Sequence, residues 1–265
     1  MPEIEGAGVT LHYEELGDGA PLLVIHGMAS DAQRWSAAVG ELAAAGARAV
    51  AYDRRGYGAS GAPEPYVATT VQEQSEDAAA LVAALGLAPA LLVGDGFGAL
   101  VALELLVRRP GLARGAVLAE PPLYAYVPAA TEALASERQA LEEALRAGGP
   151  AAAVDAWLGD RGADAWMGDR EADAAPGSHA GFFADYAGLA SWSPSRRELR
   201  AIGVPVAAVT GPRSAPHVVA AADAGAALLA DARRSDDGDV VAATRALLDV
   251  SRRDFPKASV RDDAG

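Results

Sequence analysis

The sequence has 265 residues, 51% of them hydrophobic, a formal net charge of −14 and no cysteine. This length suits one large domain, or one domain with an insertion, that buries a sizeable core. The negative charge disfavours nucleic acid as a partner. The absence of cysteine excludes disulfides, thiolate zinc sites and cysteine nucleophiles.

The N-terminal segment and the apolar segments indicate the cellular location of the protein. Residues 1–5 are acidic and lack the apolar run of a signal peptide. No stretch approaches 18 uncharged apolar residues, so we expect no membrane helix and no membrane partner. We expect a cytoplasmic monomer or weak homodimer. Lys257 is the single lysine among 22 basic residues, and this usage, with abundant alanine and glycine, is typical of a GC-rich bacterium such as an actinomycete.

Apolar runs of strand length alternate with segments of helical periodicity along the chain. Strands are predicted at about 9–15, 22–25, 47–52, 90–93, 115–120, 204–211 and 232–235, and helices at about 31–42, 70–85, 100–106, 216–230 and 240–250. This alternation predicts an α/β fold with a doubly wound, mostly parallel sheet. We predict a core of residues 1–122 and 196–253, a helical cap at 123–195 and a polar tail at 254–265.

The stretch 94–98, Gly-Asp-Gly-Phe-Gly, joins a predicted strand to a predicted helix. It follows the nucleophile-elbow pattern G-x-S-x-G, with Gly96 in the serine position. Residues 26–28 (His-Gly-Met) and 53–60 (Asp-Arg-Arg-Gly-Tyr-Gly-Ala-Ser) are similar to two further motifs, an H-G loop and a D-x-R-G-x-G-x-S segment. In this order the three motifs resemble the α/β-hydrolase family over roughly residues 9–120 and 200–252. The resemblance implies the α/β-hydrolase fold, with a ligand at the carboxyl ends of the strands.

The resemblance also implies positions for a catalytic triad, and all three positions are changed. Gly96 replaces the nucleophile, Ser214 stands where the acid is expected, and Asp239 stands where the histidine is expected. Asp95 is a candidate nucleophile of the epoxide-hydrolase or haloalkane-dehalogenase type, although it precedes the position those enzymes use. Glu120, after the next strand, matches an alternative acid position and is expected to cap or to line the pocket.

A pocket floor remains, because the backbone amides of Met28 and Phe97 can bind an anion or a carbonyl oxygen without any side chain. The predicted ligand contacts are His26, Gly27, Met28, Gly96, Phe97, Trp157, Trp166, His179, Phe182, Phe183, Trp192 and His217. His26 is expected to be mainly a scaffold residue and His12 to lie on the surface, while His179 or His217 could act as a general base. The aromatic residues of the cap would cover a bulky apolar ligand, or would only pack the cap. No cluster has metal-ligand spacing, and no cofactor is expected.

Three functions compete on this basis. The first is a non-hydrolytic enzyme of specialised metabolism, similar in kind to the atypical α/β-hydrolase-fold epimerase of bottromycin biosynthesis. That resemblance implies movement of the Cα proton of an aspartate beside a thiazoline or thiazole in a macrocyclic peptide, without a covalent intermediate. The second is a hydrolase that uses Asp95, and the third is a binding protein for a small molecule or modified peptide.

Overall fold

The structure, a computed structural model, describes residues 2–160, 179–189 and 191–254. Its strands are β1 (Glu3–Glu5), β2 (Thr10–Leu16), β3 (Ala20–Ile25), β4 (Ala47–Tyr52), β5 (Ala90–Asp95), β6 (Ala113–Ala119), β7 (Val206–Val209) and β8 (Ala232–Ser235). Its helices are α1 (Ser36–Ala44), α2 (Val71–Ala84), α3 (Phe97–Arg108), α4 (Thr131–Asp160), α5 (His179–Leu189), α6 (Arg196–Arg200), α7 (Pro216–Ala226) and α8 (Val240–Asp254). Helix α4 is broken at Gly149, which is followed by Pro150, because Gly149 takes a non-helical conformation (φ 77°, ψ −168°).

The eight strands form one sheet in the order β1-β2-β4-β3-β5-β6-β7-β8. Strand β2 pairs antiparallel with β1 and β4, and the pairs from β4 to β8 are parallel. The predicted α/β-hydrolase fold is thereby confirmed. The central strand β5 is buried along its whole length, and its apolar run 90–93 is typical of a strand covered on both faces.

Helices cover the sheet on both faces. Side chains of α2 and α3 pack in one core cluster, and those of α1 and α8 pack in the other. Both α4 and α5 lie in the chain between β6 and β7, within the predicted cap. Among the described residues no helix is long and apolar enough to cross a bilayer. The predicted boundaries of the cap remain predictions, and residues 255–265 of the predicted tail lie outside the described part of the chain.

The segment 53–60 ties the loops at the carboxyl edge of the sheet together. The carboxylate of Asp53 accepts hydrogen bonds from the amides of Ala32 and Ala59, both at 2.9 Å. It also lies 3.2 Å from Nδ1 of His12. The expectation that His12 is a surface residue is therefore wrong. Its ring is buried on Asp53, because the loop after β4 folds back over β2.

Candidate functional site

The turn between β5 and α3 has the geometry of a nucleophile elbow. Gly96 takes φ 49° and ψ −112°, which a residue with a side chain rarely adopts. Its neighbours need glycine for lack of room, since a Cβ at Gly94 would meet the backbone of residues 98–99 and one at Gly98 would collide with the carbonyl oxygens of Ile25 and His26. A Cβ at Gly96 would meet nothing within 4 Å. The elbow therefore presents open space where the pattern has a serine.

Asp95 lies one residue before this open position and is 9% exposed. Its carboxylate packs against the loop after β3, because an ideal Cβ built on Gly27 would lie 2.6 Å from Oδ2 of Asp95. The absence of a side chain at Gly27 is what leaves room for this carboxylate. Asp95 is thus held at the elbow, beside the predicted anion-binding loop.

The positions of the predicted acid and histidine also hold polar groups. Glu120 follows β6 in a left-handed conformation (φ 45°) and accepts a hydrogen bond from the Ser214 hydroxyl. Gly96 and Glu120 are close along the sheet edge, since the amide of Gly96 donates to the carbonyl of Ala119 at 2.9 Å. Asp239 instead accepts from the amide of Ala242 at 2.7 Å, which places it at the start of α8 as a helix cap.

His26 is a scaffold residue. Its Nε2 accepts from the amide of Arg54 at 2.9 Å, and its Nδ1 therefore donates to the carbonyl of Gly27 at 2.7 Å. Burial and the charge of Arg54 hold the pKa of His26 well below its usual range. Since both ring nitrogens are occupied and the residue is buried, the inclusion of the His26 side chain among the ligand contacts is not supported.

A buried ion pair, which the sequence analysis did not identify, fastens α5 to the core. The guanidinium of Arg54 contacts the carboxylate of Asp185 at 2.5 Å, and both side chains are fully buried. Asp185 also accepts from the hydroxyl of Tyr57 at 2.7 Å. Burial is the largest single influence and lowers the pKa of Arg54, but Asp185 together with Tyr57 and Tyr52 raises it on balance. The same guanidinium lies 5.0 Å from the ring centre of Phe97, so this pair lies next to the elbow. Arg54 occupies a variable position of the D-x-R-G-x-G-x-S segment, so the sequence gave no indication of its role.

The aromatic residues of the cap divide into a buried layer and a lining layer. Phe182 is fully buried, with its ring edge-on to Trp157 at 5.3 Å and to Phe183 at 5.2 Å, and stacked with Tyr186 at 6.1 Å. Trp192 is held by a hydrogen bond of 2.8 Å from its indole nitrogen to Glu104 on α3. Phe182 thus orients other rings rather than lining a pocket.

A cavity of about 590 Å³ lies between α4, the end of α5 and the segments 122–126 and 192–194. It is lined by Pro122, Leu123, Tyr124, Ala125, Tyr126, Thr131, Leu134, Ala135, Glu137, Arg138, Trp157, Tyr186, Leu189, Trp192, Ser193 and Pro194. Two predicted contacts, Trp157 and Trp192, belong to this lining. The predicted contacts at positions 26–28, 96–97, 179, 182–183 and 217 do not, so the structure does not bring the predicted set together around this cavity.

The predicted histidines and the remaining tryptophan have different positions. His217, near the start of α7, lies 2.8 Å from the carboxylate of Glu137, which lines the cavity. His179 is half-buried at the first position of α5. Trp166 lies outside the described residues. Within the described ranges, no group of three or more His, Asp or Glu side chains is placed to hold a metal ion.

Known proteins match this chain in sequence and in fold. The serine aminopeptidase S33 family model matches residues 19–156, more than half of the chain. The chain therefore belongs to this family of the α/β-hydrolase superfamily. An epoxide hydrolase of Caballeronia sordidicola is 36% identical over 108 residues, which is 41% of this chain and 33% of that protein. The chain thus matches only a third of the length of this relative.

Solved structures agree in fold over nearly the whole chain. An esterase from Thermogutta terrifontis superposes with a TM-score of 0.74 at 21% identity, covering 96% of this chain and 99% of the esterase. A bromoperoxidase from Bacillus anthracis superposes with a TM-score of 0.71 at 20% identity, covering 92% and 94% of the two chains. At these identities the likeness establishes the fold and not the reaction.

Proposed function

We propose that this chain is a hydrolase of small organic molecules, such as epoxides or activated esters, in which Asp95 acts at the elbow in place of a serine triad. The observation that carries the proposal is the open position at Gly96, which directly follows Asp95, a nearly buried carboxylate packed against Gly27. Support comes from the family and from an epoxide hydrolase among the sequence relatives. An epimerase has no counterpart among these relatives.

The place of Asp95 favours activation of water over direct attack. Asp95 is one residue before the position that a nucleophile would occupy, and its carboxylate packs against Gly27. In this mechanism a water molecule at the open position of Gly96 gives its proton to Asp95 while its oxygen attacks the substrate. In an ester, the oxygen joins the acyl carbon, and the bond to the alcohol breaks as the leaving oxygen takes the proton back from Asp95. In an epoxide, the ring carbon–oxygen bond breaks, the ring oxygen takes that proton, and the product is a diol. Glu120 is a second carboxylate at the same sheet edge.

Single turnover in H₂¹⁸O tests this mechanism. Styrene oxide and p-nitrophenyl acetate are offered to excess protein, and the product and the peptide containing Asp95 are analysed by mass. Attack by water places ¹⁸O in the first product formed, which supports the proposal. A covalent ester on Asp95 places ¹⁸O in the peptide, which overturns activation of water but keeps Asp95 and hydrolysis.

Substitution of Asp95 tests the residue itself. We expect Asp95→Asn to lower kcat by about 10²-fold or more, since a positioned proton acceptor contributes on that scale. The matched control is Asp18→Asn, which changes an exposed carboxylate in a loop and should leave kcat unchanged. Equal activity of the two variants would exclude Asp95, and absence of turnover in the unmodified protein would exclude hydrolysis of both substrate classes.

A proton-transferring isomerase is the second candidate, and the glycine at position 96 is what favours it. Chemistry of this kind needs amides that stabilise an enolate-like oxygen, and it needs no nucleophile. A nucleophile at position 96 would be a hazard, because it could trap the substrate as an acyl-enzyme. Incubation with an azoline-bearing macrocyclic peptide in D₂O tests it. Protein-dependent gain of one deuteron with two diastereomers supports epimerisation, and saturable binding without exchange supports a ligand-binding protein.

A further inference from the structure

We propose that the cavity between α4, α5 and the segments 122–126 and 192–194 is a binding site for an organic ammonium ion that carries an aromatic group. This inference goes beyond the proposed hydrolase function, because it assigns a ligand to a cavity that the elbow residues do not line. Its basis is one carboxylate set among aromatic rings of fixed orientation.

The walls of the cavity are rings held in place from behind. Trp157 and Tyr186 both pack on the buried ring of Phe182, at 5.3 Å and 6.1 Å between ring centres. Trp192 is fixed through its indole nitrogen by Glu104. Rings of this kind attract cations through their faces and offer apolar area to an aromatic substituent. Preorganised rings also lose little conformational freedom on binding.

One lining ring of the cavity already contacts a cation of the protein. The guanidinium carbon of Arg196 lies 5.3 Å from the ring centre of Tyr126, which is one of the lining residues. That face of Tyr126 is therefore occupied within the protein. Trp157, Tyr186 and Trp192 are the rings we assign to the ligand.

The two charged residues of the lining carry opposite charges and differ in exposure. Among the described lining residues the charged ones are Glu137 and Arg138. Arg138 pairs with Glu142 at 3.3 Å and its side chain is 65% exposed, so its charge is offset by Glu142 and screened by water. The carboxylate of Glu137 is only 20% exposed and lies 2.8 Å from Nε2 of His217. The net charge of −14 adds long-range attraction for a cation.

Calorimetric titration with benzyltrimethylammonium tests the site, with benzyl alcohol as the neutral partner and benzenesulfonate as the anion. The measurement is made at pH 8.5, where imidazole groups are ordinarily neutral. We expect saturable binding of the cation, roughly tenfold tighter than of the alcohol, and no binding of the anion. Equal affinity for cation and alcohol, or tighter binding of the anion, would overturn the proposal.

Two variants locate the effect in the cavity. Glu137→Gln should abolish the preference for the cation, whereas the control Glu143→Gln, on the exposed side of the same helix, should keep it. Ala135→Lys places a positive charge on an exposed lining residue. It should weaken the binding of the cation and leave the binding of benzyl alcohol unchanged. If Glu137→Gln does not fold, Ala135→Lys provides the test. Unchanged cation affinity in a folded variant of either kind would overturn the proposal. Because the readout is binding, absence of hydrolytic turnover leaves this inference intact.

Discussion

Gly96 has the backbone conformation of a nucleophile elbow but no side chain that could act as the nucleophile. Its conformation (φ 49°, ψ −112°) is the one that a strand–turn–helix elbow needs. In other residues this conformation is costly, whereas in glycine it is not. The elbow therefore persists here without strain, and the open space above it is available to water or to a substrate atom.

The two elbow glycines should respond differently to a methyl group. Gly96→Ala should lower the free energy of unfolding by about 1–3 kcal/mol, because only backbone strain is added. Gly98→Ala should cost more, since its Cβ would also collide with the carbonyl oxygens of Ile25 and His26. Urea unfolding measures both. Gly111→Ala, with no atom within 4 Å of the new Cβ and no left-handed conformation, is the control and should change stability by about 0.5 kcal/mol or less. A larger loss in Gly96→Ala than in Gly98→Ala would contradict this explanation.

Helix α5 is joined to the core by polar contacts as well as by apolar packing. The Arg54–Asp185 pair joins the loop after β4 to α5, and Gln74 on α2 donates to the same carboxylate at 3.3 Å. Such a pair adds little net stability compared with an apolar contact, but removal of one partner leaves the other charge buried. We therefore regard it as a device that fixes where α5 lies over Phe97.

Breaking this pair should be far more costly than breaking a surface pair. Asp185→Asn should lower the free energy of unfolding by about 3–5 kcal/mol, because Arg54 stays charged and buried. Glu41→Gln, which breaks the exposed pair with Arg245, should cost about 0–1 kcal/mol. Chemical denaturation compares them. The double variant Arg54→Met with Asp185→Leu should recover much of the loss, and equal losses in the two single variants would refute the buried-charge explanation.

At the scale of the whole molecule, charge repulsion opposes folding. The chain carries 36 acidic and 22 basic residues. Mobile ions screen repulsion between like surface charges, while the buried pair Arg54–Asp185 is screened much less.

Added salt should therefore stabilise the protein. Raising NaCl from 10 to 200 mM should increase Tm by roughly 2–4 °C for each kcal/mol of repulsion removed. Scanning calorimetry at pH 8 measures the shift, and sucrose of equal osmolality serves as a control for non-ionic effects. A fall in Tm on adding salt would mean that attractive surface ion pairs outweigh the net repulsion.

Local patterns were sufficient for strands β2 to β8, for helices α1, α2, α3, α7 and α8 and for the elbow, but not for the short elements β1 and α6. A short apolar run such as 90–93, ended by a glycine-rich turn, favours a buried strand, and Gly94 and Gly98 mark the tight approach that follows it. The triad changes assigned to positions 96, 214 and 239 rest on motif spacing alone and stay predictions. These features depend on neighbours in sequence, which is why they could be predicted.

Only the tertiary structure decided which distant residues meet. Arg54 and Asp185 are 131 positions apart, and neither position carries a local signal of pairing. His12 is buried because a loop 41 residues away folds over it. The cavity is lined by Trp157 and Trp192 but not by the elbow residues, because the packing of α4 and α5 determines which rings face the same space. Composition and periodicity determine which elements form and which faces are apolar, whereas long-range packing determines which side chains share a site.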